Sequence, residues 1–345
     1  MCEALAAIEC PYPKAKRVWS DTARSNLSNG FLKDAAMQDW WQTTFPKGRQ
    51  TVTIQDANDR LVAIAYGEKG TGKTLILVHG VASWSYCWHA NIAPLAEHFR
   101  VLCFDAKGSG FSDKPLQPEL PDHKVVELER VIRALCDEPA VIVAESLGAL
   151  VALAVVQAHP ELCDRLVLLN VPIFPKELPN WGMRLLAEIP LGFVELADQF
   201  RLTKWLDPVI RQVVYALRDE VIADPSHATT EDVYWSTYPQ IEFPGTLTKL
   251  AAEFQLAARE IRRLEQGEPN LIRSVQEKLS QVTCPTLILW ADQDRWFPVS
   301  DGEQLRDRLP HATLQIIPNC GHYAAGGQPE FVNAAILSFH PKVNG

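Results

Sequence analysis

From about residue 50 the apolar positions of the chain fall into two repeating patterns. TVTIQ and LVAIAYG alternate apolar with polar residues and are joined by the turn-rich DANDR, which predicts an antiparallel hairpin. TLILVHG at 74–80 is apolar without interruption, as expected of a strand buried on both faces. Helical periodicity follows in WHANIAPLAEHF, then a strand in RVLCFDA and a helix in KVVELERVIRALC. Strand AVIVAES leads into helix LGALVALAVVQAHP, and strand DRLVLLN follows. After a long interruption the alternation resumes with helix IRSVQEKLSQV, strand PTLILWAD, helix SDGEQLRDRL, strand ATLQIIPN and helix EFVNAAILSF. Strands alternating with helices predict an α/β fold: a mostly parallel central sheet of about eight strands, covered by helices on both faces.

The interruption is a predicted insertion. At 345 residues the chain exceeds the roughly 250–300 at which a single core stops growing. The expected organisation is an N-terminal extension at 1–48, a first core part at 49–173, a helical cap or lid insertion at 174–270, and a second core part at 271–345. Within the insertion, RLLAEI, FVELADQF, DPVIRQVVYALRDEV and LTKLAAEFQLAAREIRRL have amphipathic helical character, with breaks predicted at PLGF, ADPSHATTED and FPG. The extension is polar and slightly basic. A helical patch is predicted through FLKDAAMQDWW, with Trp40 and Trp41 docking on the protein's own surface; a membrane or protein contact is the alternative.

Residues 67–74, GEKGTGKT, match the phosphate-loop pattern G-x-x-x-x-G-K-[ST] letter for letter. A phosphate loop has to open a helix, because the free N–H groups of the helix N-terminus hold the phosphates. Here Thr74 opens TLILVHG, a strand, so the run reads as a glycine-rich turn between strands. A nucleotide hydrolase stays open as an alternative, to be tested by whether ATP raises the melting temperature.

Composition narrows the classes further. Apolar residues make up 47% and charged residues 22%, ordinary for a globular chain. A formal charge of −9 argues against nucleic acid, which needs a basic face. The eight cysteines are scattered without a C-x-x-C pair, so neither a disulfide framework nor a zinc site is expected, and a reducing cytosol is the default compartment. No signal layout stands at the N-terminus, and no apolar run reaches bilayer length, so no transmembrane segment is expected. No metal or cofactor is called for.

The candidate chemistry lies at strand ends. AVIVAES ends at Ser146, with the small residues Ala144 and Gly148 two positions to either side. That spacing suits a sharp strand-to-helix turn that projects the hydroxyl from the carboxyl edge of the sheet, where open α/β folds bind ligands. As an alternative, Ser146 is simply a helix N-cap. PTLILWADQDRWFP places Asp294 beyond a second strand, ATLQIIPNCGHYA places His322 beyond a third, and LVHG places His79-Gly80 at the end of another. In a parallel sheet these ends share one edge, so a nucleophile, an acid and a base in the order Ser…Asp…His can meet there.

These residues carry a resemblance. LVHG at 77–80, FDAKGSGFSDKP at 104–115, AESLG at 144–148, LILWADQDRWFP at 287–298, NCGHYA at 319–324 and QPEFV at 328–332 resemble the α/β-hydrolase superfamily, in its capped branch of esterases, C–C bond hydrolases, haloperoxidase-like enzymes, epoxide hydrolases and haloalkane dehalogenases. The resemblance implies that Ser146 is a nucleophile, His322 its base and Asp294 the orienting acid, with Asp292 as fallback. It implies an oxyanion hole from the backbone N–H groups of Val81 and Leu147. The run from Asp105 to Ser112 is implied to be a structural turn.

Ala144 and Ala291 depart from the family's pattern, which has glycine at both places. Glu145 stands where histidine or asparagine is commoner, and is expected to be a salt-bridged structural residue, or else to shape substrate preference or tune Ser146. Serine at 146 separates the chain from the epoxide hydrolases and dehalogenases, whose nucleophile is a carboxylate, and points to acyl transfer to water. Trp84, Tyr86 and Trp88 are candidate pocket residues after the oxyanion position, and Tyr234, Trp235 and Phe243 are candidates on the inner face of the lid. Packing against the first helix, or a small core of the lid itself, are the alternatives. The expected substrate is a carboxylic ester of a hydrophobic small molecule. C–C bond hydrolysis or acyl transfer on the same triad, and a receptor retaining the fold, remain open alternatives. The oligomeric state is not determined by the sequence.

Overall fold

A computed structural model of the protein describes residues 39–224 and 228–340. Eight strands form one sheet in the order β1-β2-β4-β3-β5-β6-β7-β8. β1 (Gln50–Gln55) and β2 (Leu61–Lys69) form the antiparallel hairpin expected, and β2 also pairs antiparallel with β4 (Arg100–Phe104). From β4 onward the sheet is parallel, running through β3 (Thr74–Val78), β5 (Ala140–Glu145), β6 (Cys163–Leu169), β7 (Thr286–Ala291) and β8 (Ala312–Ile317). β3, β5 and β7 are buried along their whole length, whereas the edge strands β1 and β8 alternate. The uninterrupted apolar runs therefore became central strands, because only a strand covered on both faces has no position left for a polar side chain.

GEKGTGKT is divided between two strands. Gly67 to Lys69 finish β2, and Thr74 opens β3. Gly70 and Gly72 make the reversal at φ 84° and 101°. At Gly70 a Cβ would stand 2.2 Å from the Phe99 carbonyl oxygen, so the glycine is required by space as well as by φ. No helix follows, and β4 lies between the two strands.

Two apolar layers sandwich the sheet. On one face lie helices His123–Leu135, Leu147–Ala158, Leu271–Glu277 and Val299–Arg308, the second of them buried almost all round. The other face is covered by helices His89–Ala96 and Pro329–Phe339. Trp40 and Trp41, in the short helix Trp40–Thr44, join this second layer and are both buried. The Trp40 ring lies 5.3 Å from Trp84 and 5.5 Å from Tyr86, in edge-to-face contact. The pair thus docks on the chain's own core; the rest of the predicted patch, 31–38, lies outside the described residues.

Between β6 and β7 the chain forms helices Trp181–Glu188, Leu191–Gln199, Leu202–Trp205, Asp207–Leu217, Thr230–Glu242 and Thr246–Glu265. The break expected at PLGF falls at its first residue: one helix ends at Glu188, Pro190 is the next N-cap, and Leu191 begins the following helix. One expectation fails here. ATTED begins a helix that the periodicity did not reveal: the Thr229 hydroxyl and the Asp232 carboxylate satisfy each other's backbone N–H in a capping box. That helix, Thr230–Glu242, even contains Pro239. Among the described residues no helix is long and apolar enough to cross a membrane.

Removing Trp41, a fully buried side chain, should test whether the pair belongs to the core. Trp41→Ala is expected to lower unfolding stability by about 3–5 kcal/mol, read as a shift in urea midpoint at constant m. A loss below about 0.5 kcal/mol, the range of surface substitutions, would contradict the docking.

Candidate active site

The site is built at the ends of the parallel strands β5, β7 and β8, with β6 lying between the first two. β5 ends at Glu145, and Ser146 follows at φ 53°, ψ −127°, directly before helix Leu147–Ala158. A positive φ is unfavourable for a residue with a Cβ, so this turn is held by its surroundings. Ser146 N–H donates to the Leu169 carbonyl at 2.9 Å, fastening the turn to β6. At Gly148 a Cβ would lie 2.4 Å from the His79 carbonyl oxygen, so only glycine lets the helix approach β3 this closely. Ala144 and Ala291, both fully buried, occupy the positions where glycine was expected. Although Ser146 stands at the N-cap position, its side chain caps nothing.

Instead, Ser146 Oγ lies 2.9 Å from His322 Nε2, and His322 Nδ1 lies 2.8 Å from Asp294 Oδ2. The second oxygen of Asp294 accepts from the N–H groups of Trp296 and Phe297 at 2.8 and 3.1 Å, which fixes the carboxylate's orientation. The fallback acid, Asp292, is turned elsewhere: its Oδ1 accepts from Cys320 N–H at 3.0 Å and staples the two loops together. The His322 ring is further held against Trp296, with centroids 4.4 Å apart. Val81 and Leu147 flank Ser146 in the wall of one cavity, and their N–H groups have no hydrogen-bond partner among the described residues.

His79 is close by but is not free for chemistry. The Ala106 N–H can only donate and the Gly80 carbonyl can only accept, so with contacts of 3.0 and 2.8 Å the ring is a neutral Nδ1–H tautomer. Burial also depresses its pKa. Asp105 likewise serves the framework, accepting from the N–H and hydroxyl of Ser85 and from Phe111 N–H.

Glu145 departs from its expected role. Among the described residues it makes no salt bridge; its Oε1 accepts from the N–H groups of Ala324 and Ala325 at 2.8 and 3.1 Å, two and three residues beyond His322. The residue before Ser146 thereby ties the turn to the loop that carries His322. One residue that holds the site together was missed altogether. Asn170, buried at the end of β6, donates to the His322 carbonyl at 2.7 Å and accepts from Ala291 N–H at 2.9 Å. A polar residue ending an apolar strand at the same sheet edge was the available signal.

Two cavities meet at Ser146. The first, of about 120 Å³, is narrow and mostly apolar, with Leu150, Val151, Leu178, Phe254 and Ile272 in its wall. Its wall also includes Lys124, Glu177, Glu253 and Glu260. The second, of about 460 Å³, is wider and includes His322, Trp84, Tyr86, Trp181 and Val213. Trp84 and Tyr86 therefore do face a cavity. They also tie it to the insertion, through Trp84 Nε1 to the Trp235 carbonyl at 2.8 Å and the Tyr86 hydroxyl to Asp232 at 3.0 Å. Trp235 and Phe243 lie on the wall of neither cavity. Trp235 is buried among Trp84, Tyr234 and Tyr238, while Phe243 packs on Phe111 and Tyr238. Trp88 is wholly buried in the layer behind.

Burial pushes the Glu145 carboxyl up to about 7, against the pull of His322 and of the two amides. Folded Glu145 thus holds its proton to higher pH than an unfolded glutamate at 4.5, so its ionisation takes away stability as pH rises from about 4.5 to about 7. Glu145→Gln keeps an acceptor oxygen for both amides. Its stability relative to the parent should rise across that window by on the order of 3 kcal/mol, read from denaturant midpoints below pH 5 and above pH 7. An unchanged difference at the two pH values would contradict this.

Comparison with known proteins places this geometry in a family. Residues 73–326 match the sequence model of a family described as alpha/beta hydrolase fold. Human epoxide hydrolase 4 is 22% identical over 296 residues, covering 84% of this chain and 77% of its own. The 2-hydroxy-6-oxo-6-(2'-aminophenyl)hexa-2,4-dienoic acid hydrolase of Metapseudomonas resinovorans is 28% identical over 286 residues, covering 81% and 87%. A thermophilic esterase from Thermogutta terrifontis is similar in fold, with a TM-score of 0.64 at 21% identity over 84% of this chain and 97% of its own. As the family match spans well over half of the chain and takes in Ser146, Asp294 and His322, the chain belongs to the alpha/beta hydrolase fold family.

Proposed function

We propose that the protein is a serine hydrolase that cleaves a carboxylic ester of a hydrophobic small molecule through an acyl-enzyme. The observation that carries this reading is the unbroken relay from Asp294 through His322 to Ser146, at 2.8 and 2.9 Å, beside two unpaired backbone N–H groups. In the first step Ser146 Oγ attacks the ester carbonyl carbon and His322 Nε2 takes the hydroxyl proton. The Asp294 carboxylate holds the Nδ1–H tautomer that leaves Nε2 free to accept, and offsets the imidazolium's charge. The carbonyl oxygen becomes an oxyanion, for which the N–H groups of Val81 and Leu147 are the donors. Collapse of the intermediate expels the alcohol, protonated by His322. Water then attacks the acyl-enzyme with His322 as base, releasing the acid and restoring Ser146.

The helices from Trp181 to Glu265 act in this reading as a cap, since Trp181 and Met183 on one side and Val213 on another reach the cavities around Ser146. The narrow apolar cavity takes a small hydrocarbon group of the ester and the wider one the remainder. An epoxide-opening mechanism does not fit Ser146: it forms an ester on the enzyme's own carboxylate, which is then cleaved at the enzyme's carbonyl carbon, and serine supplies none. A second reading is hydrolysis of a C–C bond next to a carbonyl, favoured by the relative from Metapseudomonas resinovorans, whose name states that its substrate is a 6-oxo dienoic acid. It uses the same three residues.

Hydrolysis of a water-soluble aryl ester separates the assigned acid from its neighbour. Asp294→Asn should lower kcat by about 10⁴-fold through the wrong histidine tautomer, and Ser146→Ala at least as far. Asp292→Asn, whose carboxylate is turned away from His322, should stay within about tenfold of the parent, because it holds only a loop amide. Equal losses at Asp292 and Asp294 would contradict the assignment.

A further inference from the structure

Six cysteines lie among the described residues, and all six are free thiols. In four of them, Cys87, Cys103, Cys136 and Cys320, burial pushes the thiol up, as befits small packing residues. Cys163 and Cys284 are different. They stand 121 residues apart in sequence, yet their sulfurs lie 3.6 Å from each other, with Cys163 Sγ donating to Cys284 Sγ.

The sheet sets this contact. Cys163 opens β6, and Cys284 stands two residues before β7, the neighbouring strand. Leu166 N–H donates to the Pro285 carbonyl at 3.0 Å and holds the two backbones side by side. Neighbouring strands run about 4.8 Å apart, inside the span that a disulfide bridges. Bonded sulfurs stand about 2.05 Å apart, so closure asks each side chain to move by about 0.8 Å.

The two sulfurs also differ in the way a stepwise oxidation requires. Cys284 is half-buried between the exposed residues Thr283 and Pro285, whereas Cys163 is buried. The hydrogen bond from Cys163 holds the Cys284 thiol below its ordinary range, and the same bond lifts that of Cys163. The reachable sulfur is therefore the one with thiolate character, and the sheltered one is placed to resolve it. Both lie at the edge of the sheet where β6 begins, away from Leu169 at its other end, whose carbonyl holds the Ser146 turn. Between them the chain runs through β6, every helix of the insertion and helix Leu271–Glu277.

We propose that Cys163 and Cys284 form a modification site at which a peroxide makes an intramolecular disulfide, fastening β6 to the entry of β7 around the whole insertion. The Cys284 thiolate attacks one peroxide oxygen. The O–O bond breaks, and the departing oxygen takes up the proton that Cys284 released and leaves as water or an alcohol. Cys163 then attacks the Cys284 sulfenic acid: the S–S bond forms, and the hydroxyl leaves as water with the Cys163 proton. Two electrons pass from the sulfurs to the peroxide, and a dithiol reductant reverses the bond.

The test exposes the reduced full-length protein to hydrogen peroxide, blocks the remaining thiols with a maleimide and digests without reductant. A linked peptide pair carrying Cys163 and Cys284 is expected in the monomer, with the intact mass lower by two hydrogens and restored by dithiothreitol. Oxidation should also raise the melting temperature of the parent by at least about 4 °C, since so long a loop restrains the unfolded chain. Cys163→Ser should instead accumulate a sulfenic acid at Cys284 that dimedone captures, because no thiol remains to displace the hydroxyl. Maleimide labelling of both cysteines unchanged by peroxide would overturn the proposal, as would a bond from either to any other cysteine. An oxidised parent that melts where the reduced one does would overturn the fastening. Comparing oxidised with reduced parent needs no variant, and none of these readouts depends on the serine-hydrolase reading.

Discussion

The backbone of Ser146 is the constraint on which the site depends. A positive φ at a residue with a Cβ is held here by β5 on one side, by helix Leu147–Ala158 on the other, and by the hydrogen bond to Leu169 of β6. Relaxing it would swing the hydroxyl back towards the helix axis and away from His322. Gly148 and Gly80 belong to the same constraint: a Cβ at the first would meet the His79 carbonyl, and one at the second would stand 3.0 Å from the Ser146 Cβ. The sheet is therefore a jig for one hydroxyl as well as a core.

Once that hydroxyl is fixed, its partner has to be brought to it, and the structure does so from two directions. Asn170 holds the His322 carbonyl to the edge between β6 and β7, while Glu145 holds the amides just after it to the turn. Both act on the loop backbone, and Asp294 and Trp296 then orient the ring. A buried carboxylate without a cation is costly, and the raised pKa of Glu145 expresses that cost.

Much of this architecture was legible in the sequence, for reasons that differ by element. The central strands could be read because burial on both faces leaves an unbroken apolar signature, and strand ends in a parallel sheet share an edge by necessity. That is why Ser146, Asp294 and His322 could be brought together on paper. Helix Thr230–Glu242 was hidden because it is packed on several sides, with Val233, Trp235, Thr237 and Ile241 all buried, so no single apolar stripe emerges. Its capping box was written in the sequence, within a stretch that reads as a break. Trp235 and Phe243 were assigned to a pocket because aromatic content carries no direction; packing alone decides which way such rings face. Glu145 was expected to find a cation, since sequence cannot reveal that two amides 179 and 180 residues away would serve instead.

The proposed chemistry requires Ser146 to be an activated nucleophile. Intact mass after exposure to a fluorophosphonate, on the parent and on Ser146→Ala side by side, is the decisive experiment. One adduct is expected on the parent and none on the variant, because only a serine with a base at hydrogen-bond distance and donors for the phosphoryl oxygen reacts readily. An unlabelled parent, or the same adduct on both proteins, would contradict it.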